Sequence, residues 1–257
     1  MNIEPQHIRV KKGAIGRAVV VAGDPERVVF ISHFLSRPRV VNRHRFLVYT
    51  GYYKGKKVSI ASHGIGMPSM SIAVEELHAL GAQTIVRLGT AGGIAEDLVY
   101  GDVVLPTYAE STPGGTIGEY LGRSKKRFSP DAALMRDLSK NLKKEGIKSR
   151  YGGIFSSNAF YAEGKISKKY TAVEMECAAL FALAKLRNFR AGAALVISDS
   201  ITNKEMSRML NSTEMSHYLS SATKALEHCQ CMHEFTSISS VLGKGCHLSF
   251  LLCHWNY

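Results

Sequence analysis

The chain has 257 residues, with 33 lysines and arginines against 21 acidic residues, a formal net charge of +12. At 45% hydrophobic and 21% charged residues it has ample apolar side chains for a core, which excludes intrinsic disorder. No apolar run approaches the roughly 18–20 residues a membrane helix needs. Met1 to Lys12 hold no signal-peptide-type apolar stretch, so a soluble cytoplasmic protein is expected.

Taken in order, the short apolar runs Ala18–Ala22, Val58–Ala61, Thr84–Leu88, Val103–Leu105 and Ala193–Ile197 read as strands. β-branched residues dominate most of them, as burial on both faces of a largely parallel sheet requires. Between them, Pro68 to Leu80 has Met70, Ala73, Val74, Leu77 and Leu80 at helical spacing, with Gly81 closing the helix. Ser129-Pro130 reads as an N-cap and first helical residue ahead of the stripe Leu134, Leu138, Leu142. Glu174 to Arg187 carries a further buried stripe, Cys177, Leu180, Phe181 and Ala184. Strand–helix alternation of this length predicts one α/β domain.

The positive charge is scattered, and its densest run, Arg123 to Arg127, is expected on a solvated loop. Basic residues interleaved with stacking aromatics are missing, so neither nucleic acid nor membrane is expected as a partner. The cysteines number five, and only Cys177 lies in the main body. An odd count with this placement argues against a disulfide framework.

Glycine-rich turns follow three of the expected strands. They are Gly23-Asp24-Pro25-Glu26-Arg27, His63-Gly64-Ile65-Gly66-Met67-Pro68-Ser69 and Arg87-Leu88-Gly89-Thr90-Ala91-Gly92-Gly93. At the carboxyl ends of strands such turns let backbone N–H groups approach an anion. None has the Gly-Lys-Ser/Thr of a P-loop or the spacing of a dinucleotide fingerprint.

These turns, with Tyr49-Thr50-Gly51, Phe155-Ser156-Ser157-Asn158-Ala159-Phe160-Tyr161, Val173-Glu174-Met175-Glu176-Cys177-Ala178 and Val196-Ile197-Ser198-Asp199, resemble the nucleoside phosphorylase family. That family includes hexameric bacterial-type purine nucleoside phosphorylases, uridine phosphorylases and archaeal methylthioadenosine phosphorylases. The resemblance covers about residues 5 to 226. It implies a twisted, mixed central sheet flanked by helices in residues 1–226, followed by an extension, 227–257, of unassigned role.

What the resemblance implies for function is phosphorolysis of a purine nucleoside to base and ribose 1-phosphate. Inorganic phosphate is the co-substrate, and no organic cofactor or metal is needed. It places Gly23, Arg27, Arg87 and Thr90 around phosphate. Guanidinium groups suit that task through bidentate, permanently charged bonds. Arg87 in an apolar strand needs a partner, whereas Arg27 could equally be an exposed arginine at a helix start. Glu176 matches the ribose-binding glutamate, with Met175 packing on the sugar and Glu174 beside it. An acid at a helix start is also simply favourable for Glu174. Phe160 matches the base-stacking aromatic, although a core phenylalanine would read the same way. Asp199, with Ser198 before it, matches the acid that protonates purine N7, where a Ser-Asp pair could otherwise cap a helix.

In this family a neighbouring subunit supplies a histidine and an arginine, so a homohexamer built as a trimer of dimers with shared sites is expected. His7 matches the histidine at the ribose 5′ end. His44 aligns with the phosphate-binding arginine and is flanked by Arg43 and Arg45, leaving three candidates. Arg208 is the one arginine placed to assist Asp199, at a shorter spacing than in bacterial enzymes, and a solvent-exposed role is equally compatible. Ala162-Glu163-Gly164-Lys165 lacks the glutamine–arginine pair of uridine phosphorylases, which favours purine. Methylthioadenosine and uridine stay open as alternative substrates, as does a nucleoside-binding protein without turnover. Cys229, Cys231, Cys246 and Cys253, each near a histidine, could hold a thiophilic metal, but their spacing fits no standard site.

Overall fold

The computed structural model describes residues 3–122 and 127–203, together with Met206, 208–210, Glu214, Tyr218, Ser220, Ala222 and Thr223. The Cys/His-rich segment, and with it the thiophilic-metal expectation, lies outside the described residues. The strands are β1 (Ala18–Ala22), β2 (Ser36–Asn42), β3 (Val48–Tyr53), β4 (Lys56–Ser62), β5 (Thr84–Gly93), β6 (Val103–Glu110), β7 (Arg127–Phe128), β8 (Ser149–Ser156), β9 (Ala172–Glu174) and β10 (Arg190–Ser200). The helices are α1 (Pro25–Ser32), α2 (Gly66–Ala79), α3 (Gly115–Leu121), α4 (Ala132–Lys144) and α5 (Cys177–Arg187), with a 3₁₀ turn at Phe160–Lys165.

All ten strands join one mixed sheet. β1 pairs in parallel with β4 and β5, and β5 pairs in parallel with β10. β10 also meets β6, and β9 bridges β8 and β5. Thus β5, β10, β6, β8 and β9 close on themselves, while β1, β4, β3 and β2 extend as an open wing.

Strand periodicity sorts the core into two layers. Val19, Val21, Ile85, Ala193, Leu195 and Ile197 pack with α2 and α5, around Met70, Val74, Leu77, Leu180 and Phe181. Ala18, Val20, Val86, Leu88, Ala194 and Val196 point the other way, onto Val28, Ile31, Leu134, Leu138 and Leu142 of α1 and α4. The twisted mixed sheet flanked by helices is the expected architecture.

Local boundaries differ in two places. α4 is capped by Asp131, whose side chain accepts from Leu134 N at 2.7 Å, so Ser129-Pro130 lies just outside the helix. Glu174 ends β9, and α5 begins only at Cys177, because the Glu174 carboxylate accepts from the N–H groups of Glu176 and Cys177. Arg127 also departs from a freely solvated loop: in β7 it stacks 4.0 Å from the Tyr108 ring centre and pairs with Glu110 at 2.8 Å.

Candidate active site

The parallel strands β1, β4, β5 and β10 end on one side of the sheet, and their turns enclose a cavity of about 500 Å³. Gly23, Arg27, Arg87, Thr90, Phe160, Glu174, Met175, Glu176, Ser198 and Asp199 all line it. These are ten of the fifteen residues picked out from the sequence. His7, Arg43, His44, Arg45 and Arg208 lie elsewhere.

Arg87 follows Ile85 on the face of β5 that meets α2 and α5, and Gly89 comes next on that face. A Cβ at Gly89 would sit 1.4 Å from Arg87 Nη1, so only glycine leaves room for the guanidinium to fold back over the strand. Arg87 is 4% exposed. Its Nη2 donates to Glu176 Oε2 and lies 3.4 Å from Glu174 Oε2. Burial would lower the Arg87 pKa, but the Glu176 and Glu174 carboxylates outweigh it and the pKa is raised.

Glu176 sits at the N-terminus of α5 and accepts, through Oε1, from the Gly66 N–H at 2.6 Å. Gly66 opens α2, whose own N-cap residue, Ile65, supplies no side-chain bond. Its carboxylate thus meets the N-terminus of α2, where negative charge is favoured, from its own place at the start of α5. Burial would raise the Glu176 pKa; the Arg87 charge and the Gly66 N–H overcome it, and the pKa is lowered. Glu174 is occupied differently. It accepts from Ser156 Oγ at 2.5 Å and from two backbone N–H groups at the start of α5. Burial raises its pKa against the pull of Arg87. Glu174 lines the cavity while its carboxylate oxygens hold the start of α5.

Arg27 lies in the first turn of α1 and donates from Nη1 to Thr90 Oγ1 at 3.3 Å. Burial lowers its pKa, with repulsion from Arg87 adding to the effect against Asp24 and Glu176. His63 beneath these arginines is fully buried, and burial followed by the Arg87 charge lowers its pKa to about 3, so the ring is neutral. Arg27 Nε, Arg87 Nε and Nη1, and both ring nitrogens of His63 are buried without a hydrogen-bond partner among the described residues. Such groups cost free energy unless a ligand meets them. Unpartnered guanidinium nitrogens from two arginines at one cavity make it suited to an anion.

Asp199 owes its placement to a β-bulge. Ile197 pairs with Ala91 but Asp199 with Gly92, so Ser198 is the extra residue. The bulge breaks strict alternation, and two consecutive side chains reach the cavity. Ser198 Oγ donates to Asp199 Oδ1 at 2.7 Å. Gly92 makes room for the carboxylate, since a Cβ there would lie 3.2 Å from Asp199 Oδ2.

His7 lines an adjoining hollow with Arg45, Phe46, Ser62 and Ser69, which shares Gly23, Pro25 and Gly64 with the main cavity. Of the three candidates at the 43–45 turn, Arg45 is the one placed there. His44 lines neither cavity. Arg208 is 65% exposed and binds Glu214 through both terminal nitrogens, at 3.1 and 2.8 Å; its neighbour Met209 lines the main cavity instead. Sequence reading gave no role to Met209, His63 or Glu76. Glu76 had a signal: it shares the stripe Ala73, Leu77, Leu80 on the core face of α2.

Among the described residues, no helix is long and apolar enough to cross a membrane, and no cluster of three or more His, Cys, Asp or Glu is arranged to hold a metal. A family model described as "Phosphorylase superfamily" matches residues 17–230. The chain is 37% identical over 210 residues to "Purine nucleoside phosphorylase DeoD-type" of an Exiguobacterium species, covering 77% of this chain and 87% of the relative. It is 35% identical to a protein of the same name from Clostridium perfringens, over 77% and 88% of the two chains. A Jannaschia relative of that name gives 35% over 212 residues with the same coverage. The matched span contains every strand of the described residues and every residue lining the main cavity, and the chain therefore belongs to the nucleoside phosphorylase family of the phosphorylase superfamily.

Proposed function

We propose that the protein catalyses the reversible phosphorolysis of purine nucleosides to free base and ribose 1-phosphate. The observation that carries this reading is the convergence of Arg27, Arg87, Glu176 and Asp199 on one cavity. Phosphate binds Arg27, Arg87, the Thr90 hydroxyl and the Gly23 backbone. Glu176 accepts from the ribose hydroxyls, Met175 packs on the sugar, and Phe160 flanks the base. As the C1′–N9 bond breaks, its electron pair passes to the purine, and a phosphate oxygen forms the new bond to C1′. Asp199 is the acid that passes a proton to N7, neutralising the leaving base. Ser198 holds the other carboxyl oxygen in place. No organic cofactor or metal enters this scheme.

The functional unit is a homo-oligomer, a hexamer of three dimers, in which His7 and Arg45 of one subunit complete a neighbour's site. The 78% exposed Ile65 at the cavity mouth, an apolar side chain a neighbouring subunit would cover, supports that arrangement. A cytoplasmic, reducing setting suits the buried free thiol of Cys177, and purine salvage is the corresponding role.

The test is a panel of inosine, adenosine, guanosine, uridine and methylthioadenosine, each with and without phosphate. Purine nucleosides should be cleaved only with phosphate, and no phosphate-dependent purine turnover defeats the reading. Asp199→Asn should slow purine release by roughly 10²–10⁴-fold, the usual contribution of a positioned acid; an unchanged rate removes Asp199 from that role. Gly89→Ala should displace the Arg87 guanidinium and raise the phosphate KM about ten- to a hundredfold, as expected for losing charge-assisted bonds worth ~1.5–3 kcal/mol. Light scattering on the purified protein should give a multiple of the chain mass; a monomer that is fully active contradicts shared sites.

A further inference from the structure

The N-terminal segment has no strand or helix to hold it, yet His7 sits at a defined place beside the cavity. Its anchor is Glu76, on the core face of α2 and 4% exposed. Glu76 Oε1 accepts from the N–H groups of Gln6 and His7, both at 3.0 Å, and Oε2 from those of His7 at 2.9 Å and Ile8 at 2.6 Å. The His7 ring adds a fourth donor: its Nδ1 lies 2.7 Å from Glu76 Oε1. Burial would raise the Glu76 pKa, but the bonds from the His7 ring and then from the backbone of Ile8, Gln6 and His7 lower it, so the group is a carboxylate.

A carboxylate only accepts hydrogen bonds. The bond to Nδ1 therefore places a proton on that nitrogen. In the neutral ring Nε2 is then an acceptor, and its direction is set because Nδ1 is tied. Asn42 fixes the rest of this wall. It is buried, accepts from Arg9 N at 3.0 Å, and its amide nitrogen reaches the carbonyls of His7 at 3.2 Å and His44 at 2.8 Å. The His7 segment and the turn carrying Arg45 and Phe46 are thereby one unit.

We propose that Glu76 is a positioning residue for the reaction: it locks His7 in the Nδ1–H form and aims Nε2 as an acceptor for the 5′-hydroxyl of the nucleoside. This rests on the reading that His7 meets the ribose 5′ end. Glu76 and His7 belong to the same chain, so the pair moves together to whichever subunit's site it completes. A purely structural anchor would affect all substrates alike, whereas a 5′-hydroxyl positioner discriminates between them.

The experiment compares inosine with 5′-deoxyinosine in the wild type, Glu76→Gln and His7→Ala. Glutamine offers one oxygen to four donors and cannot hold the ring as the carboxylate does. Glu76→Gln should lower kcat/KM for inosine about tenfold, the loss of one well-placed hydrogen bond, chiefly through KM. The change for 5′-deoxyinosine should stay within about twofold. His7→Ala should show the same pattern, and the double variant should be no worse than His7→Ala alone. Equal losses on both nucleosides, or no loss on inosine, overturn the proposal. Should Glu76→Gln fail to fold, the ¹⁵N imidazole spectrum of the wild type decides, at a pH above the ordinary histidine range: an Nδ1–H signal for His7 is expected, and an Nε2–H signal overturns the proposal. If the wild type cleaves neither nucleoside, the phosphorolysis reading fails, and the same spectrum still decides the Glu76–His7 pairing.

Discussion

The buried contact between Arg87 and Glu176 is the constraint on which the rest of the site depends. A guanidinium inside an apolar sheet is costly unless it is paired. Here the partner is a carboxylate placed where two helices begin, so the charge on each side is compensated by fixed groups. The pair connects β5, the N-terminus of α2 through Gly66, and the N-terminus of α5. Removing either member would strand the other and loosen three elements together. Both members line one cavity, so in the proposed reaction the same pair joins the phosphate and sugar halves of the chemistry.

Around that pair the fold supplies space as carefully as it supplies charge. Gly89 lets the Arg87 side chain double back, and Gly92 lets the Asp199 carboxylate lie against β5. The bulge at Ser198 turns consecutive residues toward one cavity. Glu174, which resembles a ligand in sequence, is spent on ordering the start of α5. Preorganisation of this kind lowers the reorganisation needed when charge develops on phosphate and leaving base. The neutral, buried His63 extends this logic by keeping a third positive charge away from the two arginines.

Much of this was legible in the sequence, for identifiable reasons. β1 was readable to the residue because Ala18–Ala22 is buried on both faces, and a parallel interior strand leaves an uninterrupted apolar run. Arg87 stood out because an arginine inside such a run demands a partner. The start of α5 was misplaced because Glu174 is a helix-favouring acid in composition but a strand-end cap in geometry. Asp131 competed with Ser129-Pro130 for the cap of α4, and local pattern does not rank two adequate caps. Arg208 follows Asp199 closely enough to suggest assistance, yet its guanidinium closes on Glu214. Glu76 escaped notice because its donors lie some seventy residues away, in a segment whose path is set by tertiary contacts alone.

The most direct test of the central claim is a crystal structure with phosphate and a non-reactive purine nucleoside analogue bound together. The account predicts phosphate on Arg27, Arg87 and Thr90, the ribose 2′- and 3′-hydroxyls on Glu176, and the purine N7 edge facing Asp199. Phosphate away from the two arginines, or ribose hydroxyls bound by groups other than Glu176, would contradict it.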